Sequence, residues 1–442
     1  MVRIDRMANH IFRPDRRALL VGLGAAVLAP AAPPAGAQGR PALALRAKAD
    51  LLALHPGEPD TPIWSIGGAD LRFKRGDSPE IAFGNDLPVP MVLNWRGIDG
   101  VVTAEPLLAR ASPAPGAQDN RQVPLRHAGT FLCDLGLLGD GAARPTRGLP
   151  VIVAESEAVP VDRDEVILIE DWRLRPDGTA IAPGIDPKDT VPVYTINGRP
   201  TQDIPVRTHE RLRLRFINSL QRNVITITIE TYETRVMTLD GQPAEPFLAR
   251  GGALVLAPGT RVDAFIDMTA QPPGTSSSIL LHDGKEARPI VRLIASNAPP
   301  IRDAVLPAAS PLPSNGLPAR LDLKNALRID LALGGSPTDW VAPTKFVPSA
   351  SPAFRVKAGR TVVLALTNRA ELASVFHLHG HHFRLLDRLD DGWKPFWLDT
   401  LAIGPGQTQR IAFAAEYPGR WLIESAATDW AAPRLVRWYS IE

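Results

Sequence analysis

The 442-residue chain is poor in sulfur, because it contains one cysteine, Cys133, and its last methionine is Met268. A single cysteine excludes an intrachain disulfide. Net charge is only +2, and no run of lysine or arginine follows the N-terminal region, so nothing indicates a nucleic-acid or anionic-lipid partner. The sequence also lacks a Gly-x-Ser-x-Gly elbow and a phosphate-binding loop, which removes the evidence for a serine hydrolase or a nucleotide-binding enzyme.

Proline and glycine are plentiful, with 44 and 35 residues, and they favour many turns over long helices. Apolar residues make up 45% of the chain and charged residues 22%, as in ordinary globular proteins. Short β-branched runs such as 224–229 and 362–366 lie between the turns and are typical of strands. The composition therefore predicts an all-β protein built from several sandwiches.

The N-terminal 37 residues have the features of an export signal. Arg16-Arg17 precedes the apolar stretch 18–28, and Ala35-Gly36-Ala37 resembles a cleavage site. The alternative is a short membrane anchor, but the apolar stretch is too short to span and is soon followed by Pro30. We predict a twin-arginine-type signal over 1–37, its removal, no membrane span afterwards and a periplasmic location.

The rest of the chain divides into three segments of similar size. The first covers residues 45–155 and the second 160–296. A Pro- and Ala-rich stretch, 297–318, reads as an extended linker, and the third segment covers 319–442.

The three segments share an internal pattern. In the first and third, a similar stretch (71–77 and 354–360) precedes an apolar strand. A strand in each segment then reaches an asparagine, at Asn85, Asn218 and Asn368. Each segment also has an Ala/Pro-Gly turn that enters a strand, namely Ala128-Gly129-Thr130, Ala257-Pro258-Gly259-Thr260 and Pro418-Gly419-Arg420. These repeats predict three copies of one β-sandwich.

Four of the nine histidines lie in the run His377-Leu378-His379-Gly380-His381-His382. Strand alternation would place the first three histidines on one face and His382 on the other. Because imidazole is a common ligand of copper, zinc and iron, the run indicates a candidate metal site.

Several motifs, in the same order and spacing, resemble the multicopper oxidases of the laccase type. They are Leu93-Asn94-Trp95-Arg96-Gly97, Ala128-Gly129-Thr130-Phe131, Ile196-Asn197-Gly198-Arg199-Pro200, Leu239-Asp240-Gly241-Gln242-Pro243, the histidine run and Gly419-Arg420-Trp421-Leu422-Ile423. The resemblance covers essentially the whole chain after the signal. It implies three cupredoxin-like Greek-key β-sandwich domains, with a type 1 copper and a trinuclear copper cluster held by four His-rich motifs.

Most of the copper ligands implied by the resemblance are replaced in this chain. Only His377 and His379 keep the family's residue type, as two ligands of the trinuclear cluster. The replaced positions are Asn94, Arg96, Asp134, Gly136, Ser374, Glu424, Ser425, Ala426, Trp430 and Leu435. Blue-copper chemistry needs a cysteine thiolate, and the third segment has neither cysteine nor methionine. We therefore predict the loss of type 1 copper and of most of the trinuclear site.

Arg96, Asp134 and Glu424 all occupy positions that point at the trinuclear cluster in the resembling proteins. We predict that Arg96 binds both carboxylates in a buried network that replaces the metal, since a buried carboxylate needs a partner. The alternative is a site open to water, with three unrelated surface charges.

Two interpretations of the remaining histidines stay open. His377 and His379 are either hydrogen-bonded core residues or the ligands of one copper or zinc ion. His381 is expected to pack in the strand, and His382 to lie on the outer face.

Three other residues receive structural interpretations. Cys133 is expected to be a small buried apolar residue, because nothing cationic adjoins it in the sequence. Trp430 and Leu435 are expected to fill the former type 1 site with apolar volume.

The resulting functional hypothesis is a non-catalytic periplasmic binding or scaffold protein with an unknown protein partner. In kind it resembles the copper-less, twin-arginine-exported relative that stabilises the bacterial division machinery. No cofactor, or at most one copper ion, is expected. The alternatives are a divergent copper-dependent oxidoreductase and a protein that buffers one copper ion at His377 and His379 without turnover.

Overall fold

The computed structural model describes residues 42–442, apart from residues 56, 69, 189, 335–338 and 388–391. The predicted export signal, with Arg16-Arg17, lies outside the described residues. Within the described part of the chain there is no apolar helix of the length that crossing a bilayer requires.

The described residues form 28 strands and four short 3-10 helices. The first eight strands are β1 (Leu43–Leu52), β2 (Thr61–Gly68), β3 (Leu71–Lys74), β4 (Glu80–Asn85), β5 (Asn94–Arg96), β6 (Gln118–Gln122), β7 (Gly129–Asp134) and β8 (Leu149–Ala154). The next are β9 (Arg163–Arg173), β10 (Pro192–Ile196), β11 (Gln202–Val206), β12 (Arg211–Asn218), β13 (Ile225–Ile229), β14 (Arg235–Leu239), β15 (Gln242–Leu248), β16 (Ala253–Leu256), β17 (Arg261–Asp267), β18 (Ser276–His282) and β19 (Ala287–Ala295). The last are β20 (Leu327–Leu333), β21 (Arg355–Val356), β22 (Thr361–Asn368), β23 (Ser374–Leu378), β24 (Arg384–Leu385), β25 (Thr400–Ile403), β26 (Thr408–Ala414), β27 (Gly419–Ala427) and β28 (Leu435–Ile441). The 3-10 helices are Val102–Ala104, Gly136–Leu138, Arg250–Gly252 and Pro343–Lys345.

These strands form six sheets, in pairs drawn from consecutive parts of the chain. The first sheet pair has the orders β2-β1-β4-β6 and β3-β8-β7-β5. The second has β10-β9-β12-β17-β14-β15 and β11-β19-β18-β13-β16, and the third has β20-β22-β26-β24 and β21-β28-β27-β23-β25. The all-β prediction is confirmed, and we propose that each sheet pair is one of the three predicted domains.

The same strand arrangement recurs in all three sheet pairs. In each pair one sheet contains a parallel couple followed by an antiparallel strand, as in β1-β4-β6, β9-β12-β17 and β20-β22-β26. A hydrophobic core lies within each pair, centred on residues such as Phe131, Phe216 and Phe376. Burying one such side chain contributes roughly 1.5–3 kcal/mol, so these cores supply the main stabilisation.

Three asparagines make the same corner at the ends of equivalent strands. The Nδ2 groups of Asn85, Asn218 and Asn368 each donate to two main-chain carbonyls, at 2.8–3.2 Å. The Oδ1 atom of each accepts the N–H of the residue two positions later. The repeated asparagines therefore have the same structural role, as the internal pattern predicts.

One part of the predicted repeat is wrong. Gly129 and Gly419 open β7 and β27 with φ of 147° and 145°, whereas Gly259 lies in a turn before β17 with φ of 89°. The N–H of Gly259 donates to the carbonyl of the corner asparagine, and Gly116 and Gly406 do the same in the other sheet pairs. Both kinds of turn place Ala or Pro and Gly before a strand, so the sequence pattern does not distinguish them.

Candidate functional site

A buried cluster of charged side chains lies where β5 and β7 of the first sheet pair meet β23 and β27 of the third. We call it the Glu424 cluster; its members are Asn94, Arg96, Glu105, Asp134, His379, Glu424 and Arg434, all buried. Strand alternation places Glu424 and Ala426 on one face of β27 and Ser425 on the other. The pairing of His377 with Glu424 brings the histidine run beside that face.

Arg96 binds both carboxylates that the sequence assigns to it. Its Nε donates to Asp134 Oδ2 at 2.7 Å, and its Nη2 donates to Glu424 Oε2 at 3.1 Å. All three side chains are buried, so the alternative of unrelated surface charges is wrong. Although burial opposes ionisation, the guanidinium groups around Glu424 hold the pKa of its carboxyl well below its usual range.

The sequence interpretation missed two further partners of Glu424. Arg434 Nη1 donates to Glu424 Oε2, and Asn94 Nδ2 donates to Glu424 Oε1 at 3.0 Å. In the sequence Asn94 is only a replaced ligand position, and Arg434 stands next to Leu435 without belonging to any motif. Neither pattern nor spacing in the sequence connects Arg434 with Glu424.

Both ring nitrogens of His379 face carboxylates. Nε2 lies 2.7 Å from Glu424 Oε1, and Nδ1 lies 3.0 Å from Glu105 Oε1. Burial alone lowers the pKa of the imidazole, but the two carboxylates outweigh it and raise the pKa to about 9. At neutral pH His379 is therefore an imidazolium that donates through both nitrogens and has no free lone pair.

His377 is buried, and its imidazole is hydrogen-bonded. Its Nδ1 donates to Thr400 Oγ1 at 2.9 Å, and burial lowers its pKa to about 4. One donor atom each from His377, His379 and Glu424 lie within 4.8 Å of one another. These three groups could hold one metal ion if His379 lost a proton, so both sequence interpretations remain open.

The strand alternation assumed for the rest of the histidine run ends early. β23 stops at Leu378, and Gly380 turns the chain with φ of 72°. A Cβ on Gly380 would lie 2.2 Å from the Trp421 ring, so this turn requires glycine. His381 is packed as predicted, but outside the strand; its Nδ1 donates to the Tyr439 hydroxyl at 2.9 Å.

The expected outer-face position of His382 is wrong, because His382 is only 3% exposed. It belongs to a second buried group, the Asp99 cluster, which consists of Asp99, His127, Asp240, Gln242 and His382. Its Nδ1 lies 2.7 Å from Asp99 Oδ2, and its Nε2 donates to the Asp240 carbonyl at 2.9 Å. Burial lowers the pKa of His382, but the nearby carboxylates outweigh this effect and raise it to about 9. Because the chain turns at Gly380, the side chain of His382 is buried and does not lie on the outer face of a strand.

The Asp99 cluster also brings three metal-capable groups together, from Asp99, His127 and His382. The amide Nε2 of Gln242 lies 3.0 Å from His127 Nδ1, while burial lowers the pKa of His127 to about 4. Asn315 Nδ2 donates to Gln242 Oε1 at 3.0 Å, which orients the amide with its NH2 group towards the imidazole. His127 Nδ1 is therefore an acceptor already in use.

A buried ion pair lies between His377 and the Asp99 cluster. Arg261 Nη1 and Nη2 bind the two oxygens of Asp399 at 3.0 and 2.5 Å. Asp399 Oδ1 also lies 3.4 Å from His377 Nδ1, and Asp399 Oδ2 lies 3.5 Å from His382 Nε2. Burial alone raises the pKa of Asp399, but Arg261 and His377 outweigh this effect and hold the pKa well below its usual range. Burial and the negative charge of Asp399 raise the pKa of Asp240 to about 6. The network therefore spans all three sheet pairs.

The structure shows the surroundings of the three residues for which the sequence suggests a structural role, Cys133, Trp430 and Leu435. Cys133 is buried in the first hydrophobic core, as predicted, and burial raises its thiol pKa. Leu435 packs against the third core. Trp430 is buried, but its ring faces the guanidinium of Arg173 at 4.7 Å and its Nε1 donates to Ala182 O at 3.1 Å. Its contacts are therefore with the second sheet pair.

The other replaced positions are small residues. Ser374 Oγ donates to the corner asparagine Asn368 at 3.1 Å, and Ser425 is buried. Gly136 and Ala426 line a cavity of about 40 Å³ beside the Glu424 cluster.

The chain is similar to known proteins in both sequence and structure. Family models described as multicopper oxidase match residues 163–276 and 320–441, together more than half of the chain. The chain is similar to Multicopper oxidase MmcO of Mycobacterium tuberculosis, with 24% identity over 425 residues covering 81% of this chain and 78% of that protein. It is also similar to Laccase-3 of Oryza sativa subsp. japonica, with 24% identity over 240 residues, 47% of this chain and 40% of that one.

Solved structures show the same fold. The multi-copper oxidase from Pseudomonas thermotolerans has a TM-score of 0.77 and 24% identity, covering 90% of this chain and 98% of its own. Lac15 from a marine microbial metagenome has a TM-score of 0.75 and 24% identity, covering 90% of this chain and 99% of its own.

Proposed function

Because the chain belongs to the multicopper oxidase family, we propose that it is a member without catalytic copper that acts as a non-catalytic binding or scaffold protein. Its fold of cupredoxin-like β-sandwiches is that of the solved relatives. The observation that carries the proposal is Glu424, which binds Arg96, Arg434 and His379 where the family resemblance places a copper ligand.

The donor chemistry around Glu424 supports this proposal. Copper ligation by histidine needs an unprotonated nitrogen, but both nitrogens of His379 are engaged by carboxylates. A guanidinium has no lone pair to offer, so Arg96 cannot replace a histidine ligand. These residues do not fit a cluster of three copper ions.

The former type 1 position supports the proposal in the same way. Ser425 stands where the family has its cysteine, and Trp430 stacks on Arg173. An indole donates a hydrogen bond but does not ligate copper, and a hydroxyl is a much harder donor than the thiolate of blue-copper sites.

The proposal includes export to the periplasm and an unidentified protein partner there. Export is supported by Arg16-Arg17 and the small-residue site ending at Ala37 in the sequence. The type of role is that of the copper-less division-associated relative that the chain resembles, and fold alone does not determine it.

A second candidate function is the binding of one copper ion without turnover, or in a divergent oxidoreductase. It is favoured by the approach of His377, His379 and Glu424 to within 4.8 Å. Such a site would require His379 to lose a proton and to give up its hydrogen bond with one carboxylate.

Metal analysis of protein folded with excess copper and then desalted tests the two candidates. We expect less than one copper per chain, no blue absorption and no oxidation of phenolic substrates. A His377→Gln variant is the control, because it removes the neutral imidazole and leaves the Glu424 ion pairs in place.

Stoichiometric copper with oxidase activity would contradict the proposed function. One copper per chain that disappears in His377→Gln, without activity in either protein, would support the single-ion alternative instead.

A further inference from the structure

We propose that the cavity beside Arg434 binds a small monocarboxylate, of the size of formate or acetate. The inference deepens the proposed function and rests on it, because His377, a candidate copper ligand, also lines this cavity. The cavity wall includes Gly136, Ala426 and Arg222.

Arg434 presents an unused hydrogen-bonding edge to this cavity. Its Nη1 donates to Glu424, but its Nε is buried without a hydrogen-bond partner. Its Nη2 points towards Gly136, where an added Cβ would lie 3.7 Å away. Nε and Nη2 together form the side-on fork of a guanidinium, whose geometry matches the two oxygens of a carboxylate.

A buried N–H without an acceptor is unfavourable, and Arg434 is only 9% exposed. The fork therefore requires an acceptor in the cavity. Among the described residues no carboxylate accepts from the Nε of Arg434, and the nearby Asp134 is already bound to Arg96 and to the Gly136 N–H.

The surrounding charges favour one negative charge and disfavour two. Arg434 pairs with Glu424, and Glu424 is also shared with Arg96, so the positive charge of the Arg434 guanidinium is only partly neutralised. Arg222 is already paired with Asp140. With Asp134 and Glu424 nearby, a dianion such as phosphate would be repelled.

Size and access define the ligand further. A cavity of about 40 Å³ admits a few water-sized groups, at roughly 10–15 Å³ each, so it fits a carboxylate with a very short chain. Ser219, Gln221 and Ala427 on its wall are partly exposed, and they give a route from solvent.

Calorimetric titration of the copper-free protein with acetate, formate, acetamide and inorganic phosphate tests the inference. We expect acetate and formate to bind with a stoichiometry of one, and acetamide and phosphate to bind at least tenfold more weakly. Arg434→Met should weaken acetate binding at least tenfold by removing the fork.

Two further variants keep the test independent of folding defects. Ala426→Leu fills the cavity without changing a charge and should also abolish acetate binding. Arg437→Met removes an arginine near Asp339 that does not line the cavity, and it should leave binding unchanged.

Equal affinity for acetate and acetamide, or unchanged acetate binding in both Arg434→Met and Ala426→Leu, would overturn the inference, as would binding of phosphate alone. The metal content of the same sample separates the two proposals. Stoichiometric copper with oxidase activity would contradict the proposed function. A copper-free protein that does not bind acetate would contradict this inference alone.

Discussion

Replacing Glu424 with glutamine is expected to lower the free energy of unfolding by about 3–5 kcal/mol, because it leaves buried cations without their counter-charge. Arg96, Arg434 and His379 all donate to this carboxylate, and Glu424 is almost fully buried. The amide keeps the size of the side chain, so the loss measures charge and not volume. Urea unfolding of both proteins at pH 6.5 gives the difference.

Glu442→Gln is the matched control for this substitution. Glu442 pairs with Arg355 at 2.9 Å, but both side chains are 61% exposed, so the change should stay below about 1 kcal/mol. If the two variants lost the same stability, Glu424 would not be the centre of a desolvated network.

Stability is expected to reach its maximum near pH 6.5 and to fall by several kcal/mol on each side. On the alkaline side, His379 and His382 have folded pKa values of about 9 against an ordinary 6.5. Between these values the folded protein holds protons that the unfolded chain has released. The stabilisation contributed by these two histidines is therefore complete below pH 6.5 and is lost as pH rises through 9, by about 3 kcal/mol for each histidine.

On the acid side the sign is reversed, because His127, His377 and His381 have folded pKa values of about 4. Between pH 6.5 and 4 the unfolded chain takes up protons that the folded protein excludes, so stability falls as pH falls. The depressed pKa of Glu424 extends this loss below pH 4. Asp240, with its pKa raised to about 6, offsets part of it by binding a proton in the folded state.

Urea unfolding from pH 5 to 9.5 measures these slopes. Near pH 8 the slope should correspond to about two protons, and a His382→Gln variant should reduce it to about one. Stability that rises between pH 6.5 and 9 would contradict the charged state of His379 and His382.

The sequence predicts the sandwich fold and the core of the candidate site, but not its whole membership. Arg96, Asp134 and Glu424 are predictable because the family resemblance assigns all three to ligand positions of one metal cluster. Arg434, Glu105 and Asp99 lie outside strands, so no strand periodicity marks them. Glu105 and Asp99 meet histidines more than two hundred residues away, whereas Arg434 reaches Glu424 across the turn between β27 and β28.

The position of His382 shows a second reason why the sequence does not predict the whole site. An alternating pattern continues in the sequence past Leu378, but the strand does not, because the chain turns at Gly380 against Trp421. A single turn reverses the face on which a side chain lies. Such a turn depends on packing against a distant strand and is not encoded in the local pattern.

The buried ion pairs join every combination of the three sheet pairs: Arg96 with Glu424, Arg222 with Asp140, and Arg261 with Asp399. If one sandwich opened alone, it would leave an uncompensated ion inside each of the others. The sandwiches are therefore thermodynamically coupled, and the chain should melt in one cooperative transition. If the chain were cut between two sandwiches, each fragment would keep buried charges whose ion-pair partners lie in the other fragment.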